Sequence, residues 1–415
     1  IYDRFKSKMK YICILPILFI LAFFLSFFNL KQSYAALSFT EIGSLVDSQY
    51  MTSDTRFGMG ADKADVNNDG IDDLIIDATN YSSYKGRLYV FYGGSSLDTN
   101  ADVVITGEAS SDYFPALDGG DTAVADLDGD GYNDLVCGSL GYDLYGNMNG
   151  KGMIFWGSDN FASIDSAADA TVVFPGSGTT MSLGSSSAVG DFNGDGNLDV
   201  ALAAPLAASG AGRVYIYYGD GSRTWDTTAD NTLAVEGSTS LGMTPDFKVG
   251  DINGDGYDDI LTGETNSHSE IYIFYGGASM DGTYDVKFNG EVAGDYMTRG
   301  GAAVDDINKD GFDDVCLGAY LNDTPGTNAG RVYCFFGSDT LSGTKAAGTD
   351  SNIIFNGSAG DNFGKGVFLY DINNDTNLDL IVGAYQSTVG TSNGYVKVYI
   401  GNGTTIDTTA DATLT

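Results

Sequence analysis

Histidine is almost missing from this 415-residue chain, with His268 standing alone. A His-based catalytic triad and a His-rich zinc site are therefore excluded, and we read His268, in Asn266-Ser267-His268-Ser269, as an exposed loop residue. Basic residues are scarce as well. Against 56 Asp and Glu there are 20 Lys and Arg, a formal charge of -36, which argues against nucleic acid as a partner. Six prolines accompany 57 glycines in a chain that is 43% hydrophobic, a folding composition with many turns. Of four cysteines, Cys13 sits in the amino-terminal apolar run, leaving the odd set Cys137, Cys316 and Cys334. An odd set excludes a disulfide scaffold. Cys316 and Cys334 fall on successive predicted strands and could be bridged; the reading we prefer is a pair of small buried side chains. Carboxylates abound, but no glycosidase-type pair can be singled out.

One long apolar run exists. Lys6, Lys8 and Lys10 precede Tyr11 to Phe28, and Ser33-Tyr34-Ala35 offers small residues at a cleavage site. We read residues 1–35 as a secretory signal peptide, an uncleaved anchor being the alternative. Either way the remainder, 36–415, is expected outside the cytoplasm, secreted or at the cell surface, with no membrane span in the mature chain. The first residue is Ile rather than Met, so the start codon is expected upstream.

What the chain has in abundance is one nine-residue pattern. Asp191-Phe192-Asn193-Gly194-Asp195-Gly196-Asn197-Leu198-Asp199 carries oxygen side chains at positions 1, 3, 5 and 9 and glycine at position 6, where a sharp turn can fold the oxygens around one point. An EF-hand needs a Glu at position 12 and flanking helices. Position 12 is instead Ile76, Cys137, Leu202, Thr262, Leu317 or Val382, and apolar strand-like segments follow each loop. The six sets of expected ligands are Asp65, Asn67, Asp69 and Asp73; Asp126, Asp128, Asp130 and Asp134; Asp191, Asn193, Asp195 and Asp199; Asp251, Asn253, Asp255 and Asp259; Asp306, Asn308, Asp310 and Asp314; and Asp371, Asn373, Asp375 and Asp379. Hard oxygen donors in this number favour Ca2+, about six ions with a structural role, and the carbonyl of position 7 is expected to add a ligand. The alternative is a set of Asx-turns without metal. Thr376 replaces glycine in the last loop, forcing a β-branched residue toward unfavourable backbone geometry, so that site is expected to be the weakest.

The loops begin at Asp65, Asp126, Asp191, Asp251, Asp306 and Asp371, and a period near 60 residues signals a repeat architecture. Each period reads as a small-residue strand, the loop, a second strand, a turn, a third strand such as Arg213 to Gly219, and a fourth such as Val103 to Thr106. Four short strands per period, without sustained helical periodicity, predict an all-β fold: a β-propeller of four-stranded antiparallel blades. Asp98 and Asp102, Asp165 and Asp169, Asp226 and Asp230, and Asp281 and Asp285 precede fourth strands and are read as turn residues. Arg87, Arg213 and Arg331 open third strands and are read as structural contacts. Leu37 to Gly43 resembles a fourth strand without its other three, while Ile406 to Leu414 completes the sixth repeat. Seven blades are therefore expected in the full-length protein, truncated here after Thr415; a six-bladed ring closed by the amino-terminal strand is the alternative.

These repeats resemble the FG-GAP repeats of the integrin α-subunit propeller and its bacterial relatives. Phe57-Gly58 and Phe363-Gly364 match the FG element, and Ala204-Pro205, Gly318-Ala319-Tyr320 and Gly383-Ala384-Tyr385 are degenerate forms of GAP. Departures are Tyr113-Phe114, Leu183-Gly184, Leu241-Gly242 and Tyr296-Met297 at FG, and Asp77-Ala78-Thr79 at GAP. The resemblance implies a non-enzymatic adhesion or ligand-binding module for an extracellular protein or glycan. The alternative is an ancillary propeller of an extracellular polysaccharide lyase or phospholipase. Turns between second and third strands gather opposite the acidic loops and carry Tyr81, Tyr84, Tyr142, Tyr145, Tyr320 and Tyr385. Exposed tyrosines can stack on sugars or anchor a protein, and these six are the candidate ligand face.

Overall fold

Each acidic loop joins two antiparallel strands, and each pair is extended by two more into a four-stranded sheet. The computed structural model describes residues 57–94, 100–115, 122–142, 148–159, 161–176, 181–235, 237, 240–242, 247–264, 270–385 and 394–414. All belong to one unit, Gly43–Thr415. The expected signal peptide, the strand at Leu37 to Gly43, Asp98, Tyr145 and His268 lie outside them.

The six blades are built alike. Blade 3 is typical, with strands Ser187–Gly190, Asp199–Ala204, Arg213–Tyr217 and Asn231–Leu233 paired in sequence order. Blade 1 begins at Phe57–Ala64, blade 2 at Ala123–Ala125, blade 4 at Lys248–Gly250, blade 5 at Ala302–Asp305 and blade 6 at Phe363–Tyr370. Ala412–Leu414 closes blade 6 against Tyr395–Tyr399, as expected from Ile406 to Leu414. The described residues thus form a β-propeller of six four-stranded antiparallel blades.

Second strands such as Asp199–Ala204 and Asp314–Ala319 are buried at every position. They run apolar without alternation because neighbouring blades cover both faces of the sheet. Five apolar cores accordingly lie one at each junction between successive blades. At three junctions a fourth-strand phenylalanine meets a third-strand aromatic of the next blade: Phe174 with Tyr217 at 4.3 Å, Phe288 with Phe335 at 4.4 Å and Phe355 with Tyr399 at 4.7 Å. Such pairs contribute about 0.5–1.5 kcal/mol each beyond their burial.

Three local readings change. Cys316 and Cys334 face each other across strands and form a disulfide, with Cα atoms 4.1 Å apart, so the preferred reading of two buried thiols is overturned. Blade 2 carries Phe114, not Tyr113, at the F position: Phe114 bridges Gly86 as Leu183 bridges Gly150 and Leu241 bridges Gly212. Blade 4 gains a fifth strand, Gly343–Ala346, donated by the long third-to-fourth connection of blade 5 and paired in parallel with Val286–Asn289. That strand is largely exposed, so no apolar pattern announced it. The paired aspartates do serve the turns: Asp102, Asp230 and Asp285 accept the N–H of Tyr92, Tyr218 and Tyr275. The arginines tie third strands to their surroundings, Arg87 through Thr106, Arg213 through the Gly212 carbonyl and Arg331 through Asn356 and Glu291.

Candidate metal loops and the opposite face

The third loop shows how positions 1, 3 and 5 are drawn together. Asp191 Oδ1 accepts from the N–H groups of Gly194 and Asp195, at 2.8 and 3.1 Å, and its Oδ2 accepts from Gly196 at 2.9 Å. Asn193 Oδ1 accepts from Asp195 N–H at 2.8 Å, and Asp195 Oδ1 from Asn197 N–H at 2.9 Å. The position 1 carboxylate plays the same part in every other loop. Three convergent oxygen side chains result. In the second loop Asp126, Asp128 and Asp130 bring carboxylate oxygens within 4.8 Å of one another.

Position 9 does something else. Each of Asp73, Asp134, Asp199, Asp259, Asp314 and Asp379 is wholly buried. One oxygen accepts from the N–H of position 2, the other from the glycine two residues beyond the third strand, such as Gly219 for Asp199 at 2.9 Å. This carboxylate staples the loop to the sheet. Burial pushes the acid up to about 7 at Asp134, Asp199 and Asp314 and about 8 at Asp259, with the two amides pulling the other way.

Position 6 is left-handed throughout. The five glycines have φ between 85° and 93°, and Thr376 is held at 71°, the strained geometry expected of it. Its loop is also less closed: both polar side-chain atoms of Asn373 are buried without a hydrogen-bond partner.

Sequence reasoning missed the way adjacent loops join. Position 8 donates its N–H to the position 1 carbonyl of the preceding loop, Asn133 to Asp65, Asp258 to Asp191 and Asp313 to Asp251. Asp258 and Asp313 also accept, through Oδ2, the N–H of Asp191 and Asp251 at 2.7 and 2.9 Å. The aromatics Tyr257 and Phe312 at position 7 lie against Gly194 and Gly254 of the preceding loop, where a Cβ would sit 2.3 and 2.5 Å from the rings. The recurring Asp-Asp at positions 8 and 9 was the available signal. In the third and sixth loops position 8 is Leu198 or Leu378, and a basic side chain makes the link instead. Arg223 reaches the second loop, and Lys309 of the fifth loop reaches Thr376 of the sixth at 3.3 Å.

All these donors are hard oxygens, and Asn373 carries an unpartnered buried amide oxygen at position 3. The residues therefore fit a calcium ion in chemistry.

At the opposite ends of the sheets the candidate tyrosines fall into groups. Tyr320 lies 6.0 Å from both Tyr296 and Tyr385, with Lys365 Nζ 5.1 Å from its ring centre. Tyr385 is 51% exposed and borders a groove of about 480 Å³ lined by Gly366, Gly383, Ala384, Val396 and Leu414. Tyr84 is exposed and tilts against Tyr113 at 5.0 Å, whereas Tyr81 is held under Arg87, 3.7 Å from the guanidinium carbon. Tyr142 lies under Lys151 at 4.0 Å. Tyr296 was not among the expected residues, because sequence placed it in the FG element.

A propeller whose every blade carries a carboxylate-rich loop between its first two strands defines a class of repeat protein, and the sequence comparisons agree with it. The FG-GAP repeat profile matches residues 119–155, 183–217, 248–279 and 299–335. The chain thus contains FG-GAP repeats. It is 30% identical over 191 residues to the phosphatidylinositol-glycan-specific phospholipase D of Bos taurus, a match covering 42% of this chain and 22% of that protein. It is 30% identical over 154 residues to integrin alpha-6 of Gallus gallus, covering 35% and 14% respectively. The chain thus spans less than a quarter of the length of these relatives. An exotype rhamnogalacturonan lyase structure aligns over 86% of this chain and 55% of that one at 14% identity and a TM-score of 0.39. Among the described residues no helix is long and apolar enough to cross a membrane.

Proposed function

We propose that this chain is a secreted or surface-displayed, calcium-stabilised propeller that binds an extracellular protein or glycan through the face opposite its loops. The observation that carries the reading is the sixfold loop. At each copy, side-chain oxygens of positions 1, 3 and 5 converge, carboxylate and amide in five loops and all carboxylate in the second, and a buried position 9 aspartate is left charged at neutral pH only at an energetic cost. Calcium would be held by positions 1, 3, 5 and 9 and would supply positive charge there. With side-chain sets of this kind in exposed loops, affinity is expected on the order of 10⁻⁴ to 10⁻³ M per site.

For the ligand, the row Tyr296, Tyr320 and Tyr385 with Lys365 supports stacking on a flat partner such as a sugar ring, because aromatic faces and a cation recur at one end of blades 4 to 6. A glycan and matrix-protein array, run with calcium and with chelator, tests both parts. Binding that survives removal of calcium and substitution of these tyrosines would refute the reading.

The domain reading is a signal peptide at 1–35 followed by a propeller at 36–415, with a seventh blade in the full-length protein. Phe368 of blade 6 is 62% exposed where its counterpart Ala303 in blade 5 is buried against a neighbour, which supports a further blade. A second reading, an ancillary propeller of a larger enzyme, is favoured by the phospholipase D relatives, most of whose length this chain does not match. A catalytic constellation elsewhere in the full-length gene would decide for it.

A further inference from the structure

The second loop differs from its siblings by one atom type. Position 3 is Asp128 where the other loops have Asn. In the third and fourth loops that asparagine does two jobs. Its Oδ1 accepts from the N–H of position 5, and its Nδ2 donates to the position 5 carboxylate, Asn193 to Asp195 at 3.2 Å and Asn253 to Asp255 at 3.1 Å. Asp128 keeps the first job, accepting from Asp130 N–H at 3.1 Å. It has no proton for the second, and it adds a negative charge beside Asp126 and Asp130.

Arg223 supplies what is missing. It sits on the connection between the third and fourth strands of blade 3, and its Nε pairs with Asp128 Oδ2 while its Nη2 pairs with Asp130 Oδ2. Under the guanidinium the Asp128 side chain is only 6% exposed. The planar fork is the group suited to two neighbouring carboxylates.

We propose that Arg223 is the resident cation of the second loop, so that calcium fills this loop only by displacing it. The proposal rests on the calcium reading above. A tethered guanidinium on positions 3 and 5 competes with any ion for the same oxygens. The second loop is therefore the last to fill, and its filling frees the connection that carries Arg223. That connection ties the second loop to blade 3 at a junction where position 8, Leu198, makes no carboxylate link of the kind Asp258 and Asp313 make. Loading the loop thus exchanges a blade-to-blade tie for an ion.

The chain's two tryptophans lie near this spot. Arg223 lies over Trp156 at 5.4 Å, and Trp225 follows two residues later, packed edge-on to Phe174 at 5.9 Å. Trp225 also lies against Gly219, which anchors Asp199 of the third loop, whereas Trp156 adjoins Gly157, which anchors Asp134 of the second; in a Trp225→Phe background, tryptophan emission and tryptophan-sensitised terbium luminescence therefore read the second loop, while calorimetry of calcium uptake reads all loops.

The experiment compares the full chain in that background with its Arg223→Ala and Asp128→Asn variants. With Arg223 and Asp128 in place, tryptophan emission is expected to change late in the calcium titration, together with displacement of sensitised terbium. Arg223→Ala should fill the second loop at about five- to tenfold lower calcium, the range a removed bidentate ion pair allows. Asp128→Asn, whose amide can donate to Asp130 as in the sibling loops, should already show the emission of the calcium-loaded protein before calcium is added. Equal terbium and calcium midpoints with and without Arg223 would overturn the proposal, as would filling of the loop with no change in emission. If calorimetry detects no calcium uptake at any loop, the calcium reading itself fails and this proposal falls with it. Uptake by the other loops with a second loop insensitive to Arg223 sinks the proposal alone.

Discussion

Replacing Asp259 by Ala should destabilise the propeller whether or not calcium is present, and replacing Asp255 by Ala only when it is. Asp259 is wholly buried, and its two oxygens accept the N–H groups of Ile252 and Gly276 at 2.9 and 2.8 Å. Removing the carboxylate leaves the Gly276 N–H without its acceptor, at about 1–3 kcal/mol, and takes from the Ile252 N–H the shorter of its two bonds, the other running to the Gly250 carbonyl at 3.1 Å, at about 1 kcal/mol, so the loss is about 2–4 kcal/mol. Asp255 is exposed; its oxygens accept from Tyr257 N–H and Asn253 Nδ2, both at 3.1 Å. Water can replace those bonds, and the cost in chelator should stay near 0.5 kcal/mol. Denaturant unfolding in EGTA and in millimolar calcium separates the two roles. Asp259→Ala should lower stability in both, Asp255→Ala in calcium alone. Equal losses for the two variants in chelator would refute the assignment of position 9 as the staple and position 5 as a dedicated ligand.

Thr376→Gly should raise stability by up to about 2 kcal/mol in chelator, since a left-handed β-branched residue costs about 1–3 kcal/mol and glycine returns up to about 1 of it in chain entropy; a lower melting temperature would contradict the strain at φ 71°. Replacing both Cys316 and Cys334 by Ala should cost about 3 kcal/mol, from the 18-residue separation the bridge closes, read by denaturant unfolding; an unchanged midpoint would argue against a formed bridge. Burial works to raise Glu270, yet Lys287, Glu264 and Tyr272 hold it down to about 2. A carboxylate depressed in the fold stabilises above its unfolded range and loses that contribution as pH falls through the folded value. Lys287→Met should therefore unfold at higher pH than the parent within the window from about pH 4.3 to 2, and coincident acid transitions would count against the pair.

Much of this molecule was legible because its signals are local. The turn that gathers positions 1, 3, 5 and 6 is set by side-chain to backbone bonds spanning at most five residues, so a nine-residue pattern discloses it. The propeller followed from repetition, since a blade such as Ser187 to Leu233 cannot cover both faces alone. What stayed hidden depends on partners far along the chain. Arg223 reaches Asp128 across 95 residues and leaves no spacing to read, and Asp258 reaches Asp191 across 67, signalled only by the Asp-Asp of positions 8 and 9. Gly343–Ala346 lacks an apolar pattern because it adds to an outer edge. Tyr296 passed as part of an FG element, although Met297, 1% exposed, is the residue that fills the core beside it.

The most direct test is the melting temperature of the purified chain in 2 mM calcium and in excess EGTA, with calorimetric stoichiometry. Sites of about 10⁻⁴ to 10⁻³ M would contribute about 0.6–1.8 kcal/mol each under these conditions. The account predicts uptake of several calcium ions and a clear fall in melting temperature on chelation. No uptake, with a melting temperature unmoved by EGTA, would contradict it.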